Sequence, residues 1–392
     1  MKITAVKTVV VNAQMRNWVF VKVETDQPGL YGWGEASLEW KTRAVVGAVE
    51  DFAPMLIGEE ADRIEHLYQK MYRQSFFRMG VIGMSAISGI EQALWDIRGK
   101  VLNQPVYQLL GGAVRDKVRM YTHLGGGAMH AVYETQASQD AQMFVDRALE
   151  VIERGYTALK VLITPPTEAL NSIAAYKFAE KTMAALRSAV GDDIDIMLDC
   201  HGRHFPGNAI EFCRILAPYH PYFIEEPVPP ENIDALVQVR QASPVPIATG
   251  ERLVTRFGFR EIFEKQACHI IQPDLCHCGG LWEAKKIAAM AETYYMGVAP
   301  HNPLGPIANA VALHFGLSTP NFLIQEDMLT DVPWRWEVVQ STLVTKAGYW
   351  QKTDAPGLGI EVNEQAAQKY PFKQEIIQAT TVRAHDGAIL DW

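Results

Sequence analysis

Between residues 117 and 330 the chain repeats one pattern: a short apolar run, then a stretch of helical periodicity. The runs read VRMYTH, ALKVLI, IDIMLD, YFIEE, PIATGE, HIIQPD, YMGVAPH and FLIQE. Alternating strands and helices imply a parallel sheet joined by right-handed crossovers. Eight such units over about two hundred residues is the number that closes a (β/α) barrel. The expected class is therefore α/β, with a TIM barrel as its main body.

The chain before the barrel has a different rhythm. To about residue 50, β-rich segments such as WVFVKVET and YGWGEA flank a Pro28–Gly29 turn, which predicts a small antiparallel sheet. From about Val45 to Leu110 the period becomes helical. Ile87, Ile90, Ala93, Leu94 and Ile97 share one helix face, and that segment is expected to stop at Gly111–Gly112. The opening MKITAVKTVVV holds lysines inside a short apolar run and reads as a first strand, not a signal peptide.

Charge and cysteine content narrow the functional classes. A formal net charge of −9 does not suit a nucleic-acid binder, which needs a basic face. The five cysteines, Cys200, Cys213, Cys268, Cys276 and Cys278, are odd in number and lack paired zinc-site spacing. They are read as reduced thiols in a cytoplasmic protein. The CHC at 276–278, a lone C-x-C with one histidine, lacks partners for a metal site. Thr293 to Gln325 contains no Asp, Glu, Lys or Arg, but four prolines and two histidines interrupt it. It is expected to be buried interior, so no membrane association follows.

The strand ends are where the barrel sequence turns polar. The third run ends in Asp199, the fourth in Glu225–Glu226, the fifth in Glu251, the sixth in Asp274, the seventh in His301 and the eighth in Glu326. One acid at a strand end is commonly a cap for the next helix. Six successive polar ends line one mouth, where such barrels carry their active sites. Asp199, Glu225 and Glu251 come from three neighbouring strands, and three converging carboxylates repel unless a cation joins them. All-oxygen ligands point to a hard ion such as Mg²⁺, whose open positions can accept a substrate oxygen. His201 shares a side with Asp199, two residues before it on the same strand end. His301 has Asp274 as a plausible carboxylate neighbour to orient its ring. Two imidazoles around a metal-bound acid suit proton abstraction next to a carboxylate, with the ion stabilising the developing enediolate.

FIEEP, GERLVTRF, IIQPDLCHCGG, APHNPLGP, EQALWDIRGK and PGLGIEV resemble the mandelate racemase group of the enolase superfamily. The likeness runs from the first strand to the tail. Within the group the chain is most similar to dehydratases of D-galactonate, through WGEA, LDCHGR and APHNPLGPIA. The resemblance implies a modified TIM barrel (117–330) under an α+β capping domain, the latter built from residues 1–116 and a returning C-terminal segment, 331–392. It implies Asp199, Glu225 and Glu251 as Mg²⁺ ligands and a His301–Asp274 dyad as the base. It further implies His201 as the acid that protonates the departing 3-hydroxyl, with Glu326 near the substrate carboxylate or enediolate. The expected activity is that of a Mg²⁺-dependent aldonate dehydratase yielding a 2-keto-3-deoxy acid, with D-galactonate the first candidate substrate. A racemase or epimerase, or a lactone cycloisomerase, would use the same enediolate chemistry. Family members are commonly homo-oligomers, which is the expectation here.

The pattern departs from its relatives in several places. A K-x-K at the second strand end is incomplete: Lys160 is present but Leu162 takes the second position. Lys160 is a substrate contact or a charge-balancing residue. Arg16, Asn17, Trp18, Glu39, Trp40 and Arg203 are further candidates for substrate binding. The loop HLGGGAMHAVYETQASQDAQMF is long and lies at the mouth; its Gly125–Gly127 run reads as flexibility, and His123 and His130 as solvated loop residues, with contact to a substrate the alternative. Trp334, Arg335 and Trp336 pack on the cap or reach a ligand.

Overall fold

The N-terminal β segments form an antiparallel sheet in the order β1 (Ile3–Ala13), β2 (Arg16–Thr25), β3 (Tyr31–Glu35). Gly29, at a φ of +77°, supplies the left-handed residue of the turn between the last two. Against this sheet lie α1 (Thr42–Leu56), α2 (Ile64–Gln74) and α3 (Gly80–Leu102). The predicted α3 face, Ile87, Ile90, Ala93, Leu94 and Ile97, is buried with Val19, Val21 and Val23 of β2. The helix ends at Leu102, earlier than Gly111–Gly112, because Asn103 adopts a left-handed conformation and Pro105 follows. The computed structural model describes residues 1–124, 129–166, 168–328, 330–375, 382–384 and 386–392.

All eight apolar runs are strands: β4 (Lys117–His123), β5 (Ala158–Val161), β6 (Asp195–Asp199), β7 (Phe223–Glu225), β8 (Ile247–Thr249), β9 (Ile270–Ile271), β10 (Gly297–Val298) and β11 (Gln325–Glu326). They pair in parallel from β4 to β10. The ring closes through β11, which pairs with β4, and a parallel bridge from Val298 to Phe322. A helix of ten or more residues follows each of the first seven strands, but after β11 there is a single turn, Arg335–Val338. The barrel is thus a modified one. The chain instead runs on as β12 (Val339–Ser341), β13 (Thr345–Lys346), β14 (Tyr349–Gln351) and β15 (Ile360–Val362). β14 pairs with β4 at the foot of the barrel. Glu361 accepts the Trp33 indole N–H at 3.2 Å, and Trp334 donates to the Asn12 carbonyl at 3.0 Å, so this segment also covers the N-terminal sheet.

One inward residue per strand fills the barrel: Tyr121, Ala158, Met197, Phe223, Ala248, Ile270, Ala299 and Ile324. Strand side chains alternate, so the next inward layer lies two residues on. That layer is His123, Lys160, Asp199, Glu225, Gly250, Gln272, His301 and Glu326. An apolar plug therefore carries a polar floor directly above it. The charge-free run near residue 300 is explained by the helix Pro306–Ser318, every residue of which is buried. Among the described residues no helix is long and apolar enough to cross a membrane.

Two buried carboxylates dock the cap on the barrel. Glu91 of α3 accepts the backbone N–H groups of Leu281 and Trp282 at 2.8 and 2.9 Å, at the start of the helix Leu281–Glu292. Glu35, the last residue of β3, accepts from Gly305, Ile307 and Ala308 at 2.8, 3.1 and 2.9 Å, at the start of Pro306–Ser318. Each thus satisfies the orphan donors of a helix N-terminus. A Cβ on Gly280 or Gly305 would collide with these carboxylates.

Burial pushes the Glu91 carboxyl up to about 7, against the Trp282 and Leu281 N–H groups and the Trp95 indole, which pull it down. A carboxyl raised on folding binds more protons in the folded state, so it makes stability fall as pH rises from its unfolded pKa to its folded one. Between pH 4.5 and 7 we expect the wild type to lose on the order of 3 kcal/mol more stability than Glu91→Gln. Urea unfolding at stepped pH measures this, and parallel curves for the two proteins would count against it.

Candidate active site

The polar floor is held by one cation among acids. Lys160 Nζ lies 3.1 Å from Asp199 Oδ2, 3.2 Å from Glu225 Oε1 and 2.7 Å from Glu326 Oε1. All four side chains are buried. Burial favours the neutral lysine, but the three carboxylates outweigh it and hold the Lys160 pKa well above its usual value. Burial likewise opposes ionised Glu326, and Lys160 and the His123 hydrogen bond overcome it, leaving that carboxyl well below its usual range.

Asp199, Glu225 and Glu251 place carboxylate oxygens within 4.8 Å of one another. Burial, then the negative charge of Asp199, push the Glu225 carboxyl well above its ordinary value. A single lysine does not neutralise this group, and the uncompensated charge and the all-oxygen donor set fit a hard divalent cation.

Asp274 sits just beyond β9 and His301 just beyond β10. His301 Nδ1 lies 2.8 Å from Asp274 Oδ2. A carboxylate only accepts, so Nδ1 carries the proton and Nε2 is left as the basic atom. Nε2 is 3.5 Å from Glu251 Oε2. Burial lowers the proton affinity of this ring, but Glu251, Asp274 and Glu326 raise it further, and the pKa stands well above 6.5.

His201 follows β6 in a left-handed conformation, φ 51°. Its backbone N–H donates to Asp199 Oδ1 at 2.9 Å, a turn that swings the ring back beside the carboxylate, Nε2 to Oδ2 3.5 Å. The ring lies against the Trp392 indole at 4.8 Å between centroids. Burial pushes its pKa down to about 3 against the pull of Asp199.

These groups surround a cavity of about 320 Å³ that Lys160, Asp199, His201, Glu251 and His301 line. Glu39, Arg16 and Trp40 line it too, and Arg16 pairs with Glu39 at 2.8 Å. Three proposed substrate contacts lie elsewhere. Asn17 is buried beneath the C-terminal segment, donating to Lys373 O at 2.9 Å and accepting from Lys373 N at 3.1 Å. Trp18 is fully buried in the main core, with the Arg335 guanidinium 5.1 Å from its ring. Arg203 donates to the Cys200 carbonyl at 3.2 Å and lines two neighbouring cavities, not this one.

His123 is a correction in the other direction. It is buried, not solvated, and its Nε2 meets Glu326 Oε1 at 2.7 Å. As the residue two beyond Tyr121 it belongs to the polar floor, a signal present in the strand alternation. Met15, Arg252, Met328, Asp391 and Trp392 also line the cavity and carried no such signal. Gly125–Gly127 lie outside the described residues, as does the side chain of His130. Trp334 stacks on Tyr370 and Arg335 pairs with Asp331 at 2.7 Å, both away from the cavity, while Trp336 is half exposed. The five cysteines are buried free thiols.

Residues 1–111 match the mandelate racemase / muconate lactonizing enzyme N-terminal domain, and residues 143–366 match the enolase C-terminal domain-like family. A D-galactonate dehydratase from Cronobacter sakazakii (strain ATCC BAA-894) is 38% identical over 388 residues, covering 96% of each chain. An enolase from Pantoea ananatis, crystallised with bound D-gluconate and Mg, superposes with a TM-score of 0.89 at 32% identity, over 100% of this chain and 99% of that one. A mandelate racemase/muconate lactonizing enzyme-like protein from Roseovarius sp. TM1035 gives 0.88 at 34% identity, over 96% and 98%. The chain belongs to the enolase superfamily, in its mandelate racemase group.

Proposed function

We propose that this protein is a Mg²⁺-dependent sugar-acid dehydratase, a hydro-lyase that removes the proton α to a carboxylate and expels the 3-hydroxyl to give a 2-keto-3-deoxy acid. The observation that carries the reading is the pair of imidazoles on one carboxylate-floored cavity, one backed by Asp274 and one beside Asp199. The dehydratase from Cronobacter sakazakii and the gluconate- and Mg-bound enolase from Pantoea ananatis support it. In this reading residues 1–116 and 331–392 form the cap and 117–330 the barrel.

Asp199, Glu225 and Glu251 would hold the ion. When bound, Mg²⁺ supplies Lewis-acid stabilisation of the charge that develops on the substrate carboxylate. His301 takes the α-proton on Nε2, and Asp274 keeps the ring oriented and stabilises its charged form. Lys160, held by Asp199, Glu225 and Glu326, puts positive charge at the floor beneath the carboxylate end of the substrate. His201 delivers a proton to the leaving hydroxyl. Its low proton affinity reflects burial, and an anionic substrate beside it would pull that affinity upward. Arg16, Glu39 and Trp40 face the distal hydroxyls. D-galactonate is the first candidate substrate.

The ion and Lys160 should compensate for one another. Lys160→Met leaves buried carboxylates uncompensated and should destabilise the protein in chelator by roughly 3–5 kcal/mol. Saturating Mg²⁺ should restore part of this, and should raise wild-type stability by about 2.7 kcal/mol at a hundredfold excess over Kd. Urea unfolding in EDTA and in Mg²⁺ checks both; a wild type indifferent to Mg²⁺ would remove the ion from the reading.

The reaction is tested by incubating the protein and Mg²⁺ with a panel of aldonates in D₂O, D-galactonate and D-gluconate among them, and following keto-acid formation and C2 deuteration. Wild type should form the keto acid. His301→Asn should lose both elimination and exchange, while His201→Asn should keep C2 exchange and lose elimination by about 10²- to 10⁴-fold. Deuterium at C2 without loss of water across the panel would instead indicate a racemase or epimerase.

A further inference from the structure

His277, the imidazole of the CHC segment, is used neither by a metal nor by the reaction proposed above. It is buried, 6% exposed, on the loop after β9. Its Nε2 lies 3.6 Å from Asp274 Oδ2, the same oxygen that accepts from His301 Nδ1 at 2.8 Å. On its other side Nδ1 lies 2.9 Å from Ser85 Oγ of the cap helix α3. Ser85 Oγ is also 2.8 Å from the Val81 carbonyl.

Counting protons fixes which way the ring faces. A hydroxyl has one proton to give. If Ser85 gives it to Nδ1, the ring proton is on Nε2. If Ser85 gives it to Val81, it accepts from His277 Nδ1–H, and an Nε2 lone pair facing a carboxylate would be repelled unless Nε2 is protonated as well. The first arrangement turns Nε2–H towards Asp274, and the carboxylate disfavours the second. At 3.6 Å the contact is electrostatic, longer than a hydrogen bond. The remaining Asp274 oxygen, Oδ1, accepts the Cys276 N–H at 2.7 Å.

We propose that His277 is a positioning residue for the base: Ser85 of the cap fixes its ring, the ring holds Asp274 from behind, and Asp274 holds His301. The role in catalysis rests on the His301–Asp274 base proposed above. The chain of contacts makes the cap part of the geometry of the dyad, since Ser85 lies on α3 and the other members on barrel loops. Partners that orient an active-site imidazole through a carboxylate affect rate more than substrate binding, because they act on a group whose placement counts in the transition state.

The test reads the dyad directly. In ¹⁵N-histidine-labelled protein with Mg²⁺, the low-field His301 Nδ1–H resonance is identified by its loss in His301→Asn. His277→Leu should shift that resonance and lower kcat about 10-fold or more at little-changed KM. His277→Gln, whose amide N–H can face Asp274, should return most of both. Ser85→Ala, a smaller change on the cap helix, should also shift the resonance, which covers the case in which His277→Leu does not fold. A resonance unmoved in both His277→Leu and Ser85→Ala overturns the proposal. The resonance needs no substrate, so a panel of inactive sugar acids would refute the assigned reaction without deciding this question.

Discussion

The capping of two barrel helices by carboxylates from another part of the chain is the constraint on which the rest of the site depends. Glu91 and Glu35 are taken out of water and accept the backbone N–H groups at Leu281–Trp282 and Gly305–Ala308, with Trp95 and Ser37 adding one side-chain donor each. The helices they cap follow β9 and β10, and the loops before those helices carry Asp274 and His301. Ser88 adds a hydrogen bond to Gly279 N at 3.1 Å, and Gln92 one to the Leu275 carbonyl at 3.0 Å. Each such bond contributes modestly while it is made, and costs about 1–3 kcal/mol when one partner is removed and the other stays buried. A sliding of the cap by even one residue would strand all of them. The polar interface therefore selects one docking register, and that register places both halves of the dyad.

Within the barrel the governing fact is a change of character between successive inward layers. Tyr121, Met197 and Phe223 fill the plug, with Ala158, Ala248 and Ala299 making room for them. Two residues further along the same strands stand His123, Asp199 and Glu225. Because the plug is dry, the charges above it are screened weakly on that side and interact strongly with one another. Lys160 shows the consequence: its stem is buried among apolar neighbours, and its ammonium is kept charged by three acids. A lysine removed from such a setting leaves repulsion, whereas a divalent ion placed beside it relieves what one positive charge cannot.

Most of the barrel was legible in the sequence because its signals are local. Each strand is announced by its own apolar run, and each strand end by a polar residue, so the eight strands and the residues from Asp199 to Glu326 could be read without tertiary information. His123 was misread since the glycine-rich segment after it suggests a loop, although strand alternation from Tyr121 already turns it inward. Helical periodicity in α3 draws attention to Ile87, Ile90 and Leu94 and says nothing of Ser85, Ser88, Glu91 and Gln92, which are buried and bonded to barrel loops. Asn17 and Trp18 failed for a different reason. A cap strand is expected to show one face to solvent or ligand, but the C-terminal segment meets both faces of β2 near its start, Lys373 against Asn17 and Arg335 against Trp18.

In the proposed reaction that covering separates the groups that would perform the chemistry from those that would meet the rest of the substrate. The floor of the cavity comes from strand ends whose positions are fixed by barrel closure. Its far wall comes from Met15, Arg16, Glu39, Trp40, Met328 and Trp392, which belong to four separate segments, none of them a barrel strand. Trp392 touches both His201 and Trp40, at 4.8 and 5.1 Å between ring centroids, so the tail bridges the end of β6 and the cap. Asn17 and Thr42 hold the tail upstream of it through Lys373 and Glu375, the latter accepting from Thr42 Oγ1 at 2.9 Å. Asn17 thus serves the pocket indirectly, by anchoring the segment that leads to its wall. A barrel layer can then be retained unchanged while the wall varies, since no wall residue takes part in closing the barrel. In the proposed reaction, substitutions at Glu39, Trp40 or Trp392 are accordingly the ones expected to alter substrate choice with the least disturbance to the carboxylates and imidazoles beneath.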